Sequence, residues 1–182
     1  MSSNWKKILE PENIQKNMFN KTLNRRFDII ILASLLEKTP NLGGLVRTCE
    51  IFNIGALTIP SEDILKDKIF LESSSSCEKL VPLLSIPKVT IKEFIIAYRK
   101  LGYSIVGLEQ TQNSIDIKKF KFKEKMVLVL GNEKEGIPQD IIDLIDNCVI
   151  INQFGEVRSL NVHASAAIMI WECIKCLTNE KK

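Results

Sequence analysis

The sequence predicts an α/β domain built on a mostly parallel sheet. Three observations carry this. Apolar, β-branched runs recur without polar alternation, as in strands covered on both faces. Helix-compatible stretches separate them, so strand and helix alternate along the chain. The length, 182 residues at 20.7 kDa, is about that of one ordinary domain, and no internal repeat or second boundary interrupts it.

Residues 1–26 are polar and carry Lys6, Lys7, Lys16, Lys21, Arg25 and Arg26. They read as an N-terminal basic arm with some helix, and residues 27–182 as the domain. Phe27 to Ala33 is the first buried strand. Asn41 to Phe52 reads as a helix with Asn41 as its N-cap. Gly55 to Ile59 is a second strand, stopped by Pro60. Residues 62–72 look helical, Ser73 to Ser76 form a polar break, and Leu80 to Ile86 is weakly extended around Pro82. Thr90 and Glu93 have capping-box spacing, opening a helix to Lys100 or Leu101 that Gly102 stops. Tyr103 to Leu108 and Met126 to Leu130 are strands, with the charge-biased connector Lys118–Lys125 before the second. Pro138 suits the first turn of a helix over about 138–146. Cys148 to Ile151 is a short strand, and Ser159 to Leu177 a long final helix.

Composition removes several function classes. Hydrophobic residues are 45% and charged residues 26%, which excludes a wholly disordered chain, a collagen-like fibre and a disulfide-stapled miniprotein. A net charge of +3 excludes a bulk nucleic-acid condenser but leaves room for a local basic face. Cys49, Cys77, Cys148, Cys173 and Cys176 are an odd, scattered set, unlike a disulfide framework. The N-terminus lacks a secretory core, and no apolar run nears the roughly 18 residues of a membrane span. The expectation is therefore the cytoplasm, with the nucleus as the alternative, and no membrane partner. One histidine, His163, excludes multi-histidine zinc sites, and no metal is expected. Cys173-x-x-Cys176 has redox spacing but sits in an apolar helix, where packing is the better reading.

Three glycine-bearing segments each follow a predicted strand, where open α/β sheets collect ligands. They are Asn41-Leu-Gly-Gly-Leu-Val-Arg47, Leu130-Gly-Asn-Glu-Lys-Glu-Gly-Ile-Pro138 and Ile151-Asn-Gln-Phe-Gly-Glu-Val-Arg-Ser-Leu-Asn161. Gly131 and Gly136 have P-loop spacing, but Ile137-Pro138 replace the required Lys-Ser/Thr, and no G-x-G-x-x-G occurs.

Over about residues 27–177 these strings, with Gly107-Leu-Glu-Gln-Thr111 between them, resemble the motifs of the SPOUT methyltransferases. The match is to the TrmH-like branch of RNA ribose 2′-O-methyltransferases. In detail it looks closest to the C-terminal domain of the eukaryotic tRNA guanosine-18 enzymes of TAR RNA-binding-protein type. The resemblance implies a parallel-sheet α/β knot, a deep trefoil, with S-adenosylmethionine bound in it. It implies cofactor contacts at Leu108, Glu109, Gly131, Ile151 and Leu160. Gly131 would let the backbone approach the ligand, and Ile151 and Leu160 would wall the adenine.

The catalytic set carried over is Arg47, Asn41, Glu133, Ser159 and Asn161. Free arginine is a poor base, so Arg47 has two readings: an unusual base, or, better, a bidentate phosphate anchor that stabilises the developing alkoxide. Asn41 and Asn161 would orient Arg47 or the ribose, and Glu133 a guanidinium or backbone N–H. Ser159 and Asn161 also stand where a helix begins, so capping competes with function there. His163 is better read as packed than catalytic. Arg25, Arg26 and Arg158, with the Lys118–Lys125 run, are the candidate RNA contacts, and the arm is either a solvated extension or a strap on RNA. The apolar final helix, with Ile168, Ile170 and Trp171, implies a homodimer. The expected substrate is tRNA; the alternatives are ribosomal RNA, or an RNA-binding module that kept the fold without catalysis.

Overall fold

A computed structural model describes residues 26–157 and 159–179. Its strands are β1 (Phe27–Leu32), β2 (Ile54–Ile59), β3 (Leu83–Ser85), β4 (Ser104–Leu108), β5 (Ile115–Asp116), β6 (Met126–Leu130) and β7 (Asn147–Ile150). They form one sheet in the order β3-β2-β1-β6-β4-β7-β5, and every pairing is parallel. The helices are α1 (Thr39–Ile51), α2 (Lys68–Ser74), α3 (Ile91–Lys100), α4 (Gln139–Ile142) and α5 (Val162–Asn179).

Side chains of each central strand alternate between two cores. Ile29, Ile31, Val106, Leu128 and Leu130 join Leu42, Leu45, Phe70, Met169 and Ile170 on the α1, α2 and α5 side. Ile30, Leu32, Ile105, Val127 and Val129 join Phe94, Ile95, Tyr98 and Ile141 on the α3 and α4 side. Both faces are covered, so no polar alternation survives in the sequence. Each such side chain contributes about 1.5–3 kcal/mol relative to exposure. No helix among the described residues is long and apolar enough to cross a membrane.

Several helix boundaries differ from expectation. Asn41 is not an N-cap: α1 starts at Thr39, with Pro40 in its first turn and Lys38 at the cap position. The segment 62–72 is a 3-10 turn over Glu62–Lys66 and then α2, which Asp67 caps by accepting from the Phe70 N–H at 2.7 Å. Thr90 makes no capping box. Its hydroxyl donates to the Pro87 carbonyl at 2.9 Å, and a 3-10 turn over Lys88–Thr90 leads into α3.

The helix from Pro138 lasts only over α4. Asp146 ends it, because its N–H donates to the Ile105 carbonyl at 2.9 Å and its carboxylate accepts from the Ile105 N–H at 2.8 Å. Those two bonds draw the chain to the sheet as β7 begins. Gly102 ends α3 as expected, at a φ of +85° that favours glycine. The two-residue strand β5 carries too little pattern to be read from sequence.

The glycine pair of the first segment has a packing cause. A Cβ on Gly43 would stand 2.6 Å from the Ser73 Cβ and 2.7 Å from the Phe70 carbonyl oxygen, so α1 and α2 meet there backbone to backbone. Gly44, one residue on, faces α5 instead.

Candidate active site

Most of the candidate residues gather at the carboxyl ends of β6, β4 and β7, adjacent strands in the sheet. The loops that follow them enclose a cleft of about 1100 Å³. Leu108, Glu109, Gly131, Ile151 and Leu160 line it, as do Asn41, Glu133, Ser159 and Asn161. Arg47 does not: it lies exposed on α1, outside the cleft wall.

A chain of hydrogen bonds joins the three glycine-bearing segments. Glu133, in the loop after β6, accepts from the Asn41 side-chain amide at 2.9 Å. It also accepts from the backbone N–H groups of Lys38 at 3.1 Å and Glu37 at 3.2 Å. Asn41 accepts in turn from the Asn161 amide at 3.0 Å. The Asn161 side-chain Oδ1 accepts from the N–H groups of His163 and Ala164, at 2.9 and 3.2 Å. Asn161 thus caps α5, which begins at Val162 rather than Ser159, and holds Asn41 at the same time. Burial pushes the Glu133 carboxyl upward, but the bonds from Asn41 and from backbone N–H groups outweigh it and hold the carboxyl below its usual value.

The glycines of the second segment shape the loop itself. A Cβ on Gly131 would stand 2.5 Å from the Gly136 carbonyl carbon. Asn132 and Gly136 exchange two backbone hydrogen bonds, at 2.9 and 3.0 Å. Gly131 therefore serves close packing of the loop on itself. Gly136 has a φ of +72° and lies against the Glu109 carboxylate. That carboxylate accepts from the Ile137 N–H at 2.9 Å and the Gln110 N–H at 3.1 Å, clasping the loops after β4 and β6 together.

Asn132 belongs to the same construction, and sequence reasoning did not single it out. Its side-chain Oδ1 accepts from the Lys134 N–H at 2.9 Å and its side-chain amide donates to the Leu35 carbonyl at 3.2 Å. An asparagine between a glycine and a charged run was the available signal. Lys38, which also lines the cleft, had none.

The expected RNA contacts fare unevenly. Arg26 is buried. Its guanidinium donates to the Ile54 and Leu80 carbonyls, each at 3.1 Å, and pairs with Glu50. It is a structural clamp between β2, the turn before β3 and α1, and no longer a candidate phosphate contact. Arg25 and Arg158 lie outside the described residues. In the connector, Lys118, Lys119, Lys121, Lys123 and Lys125 are exposed while Phe120 and Phe122 turn inward, ring edge to ring face at 5.1 Å.

Cys173 is buried in α5, where burial, with Cys176 nearby, pushes its thiol up to about 12, far from the range of a reactive thiolate. Among the described residues, no group of three or more His, Cys, Asp or Glu is placed to hold a metal ion.

Residues 28–171 match the family model described as the SpoU rRNA Methylase family. A similar curated protein is the tRNA (guanosine(18)-2'-O)-methyltransferase TARBP1 of Mus musculus, 43% identical over 144 residues, 79% of this chain and 9% of that one. Another is the tRNA (guanosine(18)-2'-O)-methyltransferase of Saccharomyces cerevisiae, 31% identical over 170 residues, 93% of this chain and 12% of that one. The chain spans about a tenth of the length of these two relatives.

A crystal structure of a TrmH/SpoU tRNA-modifying enzyme of A. aeolicus superposes with a TM-score of 0.75 at 21% identity, covering 97% of this chain and 86% of that one. The SpoU methyltransferase AviRb of Streptomyces viridochromogenes, in complex with AdoMet, superposes with a TM-score of 0.71 at 21% identity, covering 86% and 60%. These likenesses show the fold class, the α/β knot of the SpoU/TrmH enzymes.

Proposed function

The chain belongs to the SpoU rRNA Methylase family, and we propose that it transfers a methyl group from S-adenosylmethionine to a ribose 2′-hydroxyl of RNA, with guanosine 18 of tRNA as the target. The observation that carries this reading is the joining of all three glycine-bearing segments at one cleft by the Glu133–Asn41–Asn161 chain. The names of the two curated relatives support the choice of nucleotide, and the AdoMet complex of AviRb supports the choice of cofactor. The same reading sets the work in the cytoplasm or nucleus.

The cleft suits that cofactor. Leu108, Ile151 and Leu160 offer apolar walls, and backbone groups of three short loops offer hydrogen bonds to a purine edge. Its volume, just above the ~300–1,000 Å³ of small-molecule sites, leaves room for a nucleotide alongside. When bound, the group supplies a methyl carried on a positively charged sulfur. The chain's residues must then orient the ribose oxygen in line and stabilise it as its proton leaves. Asn41 and Asn161, locked by their mutual bond, are suited to fix the sugar. Orientation of this kind supplies much of the rate in a displacement. Arg47, with five donors and a fixed charge, stabilises the alkoxide that develops on O2′ and holds the adjoining phosphate, while the proton leaves to solvent.

The full chain, incubated with unmodified tRNA transcript and methyl-labelled cofactor, is expected to place the label on O2′ of guanosine 18. Label on ribosomal RNA alone would move the target, and tight RNA binding with no S-adenosylhomocysteine binding would replace the enzyme with a binding module.

The protein works as a homodimer in this reading. Trp171 and Ile168 on α5 and Ile51 at the end of α1 are exposed, at 57%, 42% and 67%. Trp171 packs on Phe52, with ring centroids 5.9 Å apart, so the α1 end and α5 share one apolar patch. Exposed large apolar patches of this kind mark interfaces. Sedimentation is expected to give twice the chain mass, and Trp171→Glu to give the single chain; a wild-type chain that sediments singly at micromolar concentration rejects the dimer.

A further inference from the structure

We propose that His163 is a positioning residue: bridging two turns of α1, it seats the first turn of α5 and with it the third-segment wall of the cleft. The inference rests on the function proposed above and adds a residue to it.

His163 is the one histidine of the chain. Its Nε2 lies 2.9 Å from the Thr48 hydroxyl oxygen, and its ring packs against Gly44. A Cβ on Gly44 would stand 2.5 Å from the ring Cε1 and 2.6 Å from Nδ1. The ring therefore fills the notch that glycine leaves in α1. A neutral imidazole has one donor and one acceptor nitrogen, and the Thr48 hydroxyl partners Nε2. Burial lowers the His163 pKa below 6.5, which favours the neutral ring at pH 7.

The clamp adjoins the polar chain of the site on both helices. Asn41, Gly44 and Thr48 recur at i, i+3 and i+7, so they share one face of α1. On α5, the His163 N–H donates to the Asn161 side chain at 2.9 Å, and Asn161 donates to Asn41 at 3.0 Å. The start of α5 is thus tied to α1 at Asn41 by Asn161 and at Gly44 and Thr48 by His163. Leu160, Asn161, Val162 and Ser165 line the cleft from this turn. Moving the ring changes how closely α5 approaches α1, and so moves that wall. Apolar packing alone would fill the same space without fixing the angle of the turn.

Three full-length variants test this. His163→Ala removes the bridge. Thr48→Val removes one partner at nearly constant shape. His163→Gln keeps a long side chain with an amide able to reach Thr48. The expected result is an S-adenosylhomocysteine Kd by calorimetry weakened about tenfold in His163→Ala, with a matching fall in kcat on tRNA, since misplacements near 1 Å can cost up to about a hundredfold. Thr48→Val should weaken Kd in the same direction, and His163→Gln should recover most of the loss. Amide exchange at His163 and Ala164 should quicken in His163→Ala, a readout that needs neither cofactor nor RNA. A lower Tm with Kd, kcat and exchange unchanged overturns the proposal, as does a Kd loss confined to His163→Ala. A wild-type chain that binds S-adenosylhomocysteine but methylates no RNA overturns the proposed function and leaves this inference to stand or fall on Kd and exchange.

Discussion

Replacing Arg47 with alanine is expected to lower the rate of methyl transfer by about 10²–10³-fold, the range seen when one preorganised donor to a developing oxyanion is lost, with the melting temperature nearly unchanged. Arg47 is exposed on α1, and no hydrogen bond or ion pair joins it to another described residue. Removing it costs the fold little. Its neighbours on the helix are otherwise occupied: Val46 and Cys49 are core, and Thr48 holds His163. A guanidinium kept in solvent beside such a packed face has its donors available for a ligand.

The two readings of Arg47 separate kinetically. An anchor for the RNA phosphate shows chiefly in KM, whereas a group that stabilises the alkoxide shows in kcat. Arg47→Lys keeps the charge and loses the planar fork, so it should recover little of either. An alanine variant with wild-type kcat and KM removes Arg47 from the mechanism.

Replacing Glu133 with alanine is expected to destabilise the domain by about 2 kcal/mol and to cut activity more than tenfold. Its carboxylate accepts from the Asn41 amide and from two backbone N–H groups ahead of α1. Hydrogen bonds to a charged group are worth about 1.5–3 kcal/mol each; the total here is discounted, because the Glu37 and Lys38 bonds are exposed and water replaces them. The activity loss is the larger effect, because Asn41 then keeps only Asn161 as a partner.

The pH dependence follows with a definite sign. Burial raises the Glu133 carboxyl and the hydrogen bonds lower it further, leaving it below the usual 4.5. A carboxyl depressed in the folded state adds stability above its unfolded pKa and loses it as pH falls through the folded value. Chemical denaturation from about pH 6 to about pH 3 should therefore show wild type losing its advantage over Glu133→Gln in the acid part of that range. A constant difference across it would exclude the carboxylate as the source.

Much of this was legible in the sequence, and much of the rest turns on partners distant in the chain. The strands were readable because a sheet covered on both faces leaves unbroken apolar runs such as Ile29 to Leu32. Helix ends were misread wherever the cap came from elsewhere in the chain. Asn41 has the right chemistry for an N-cap, yet the groups ahead of α1 are satisfied by Glu133, and Asn41 itself points into the site. Asp146 cut α4 short because its backbone and carboxylate are held by Ile105. Gly131, expected to let the backbone approach a ligand, lines the cleft and also packs on Gly136, a contact that no local spacing shows. Arg26 was expected on RNA and instead clamps Ile54, Leu80 and Glu50.

The amino-acid order by itself determined the layering, the parallel sheet and the three segments that meet at the cleft, because hydrophobic period and glycine placement act within a few residues. Only the tertiary structure decided which polar groups find each other. Glu133 reaches Asn41 across 92 positions, and Asn161 reaches it across 120. Such partners are set by how the crossovers fold over the sheet, and no local spacing encodes a distance that the chain closes only when its core has formed.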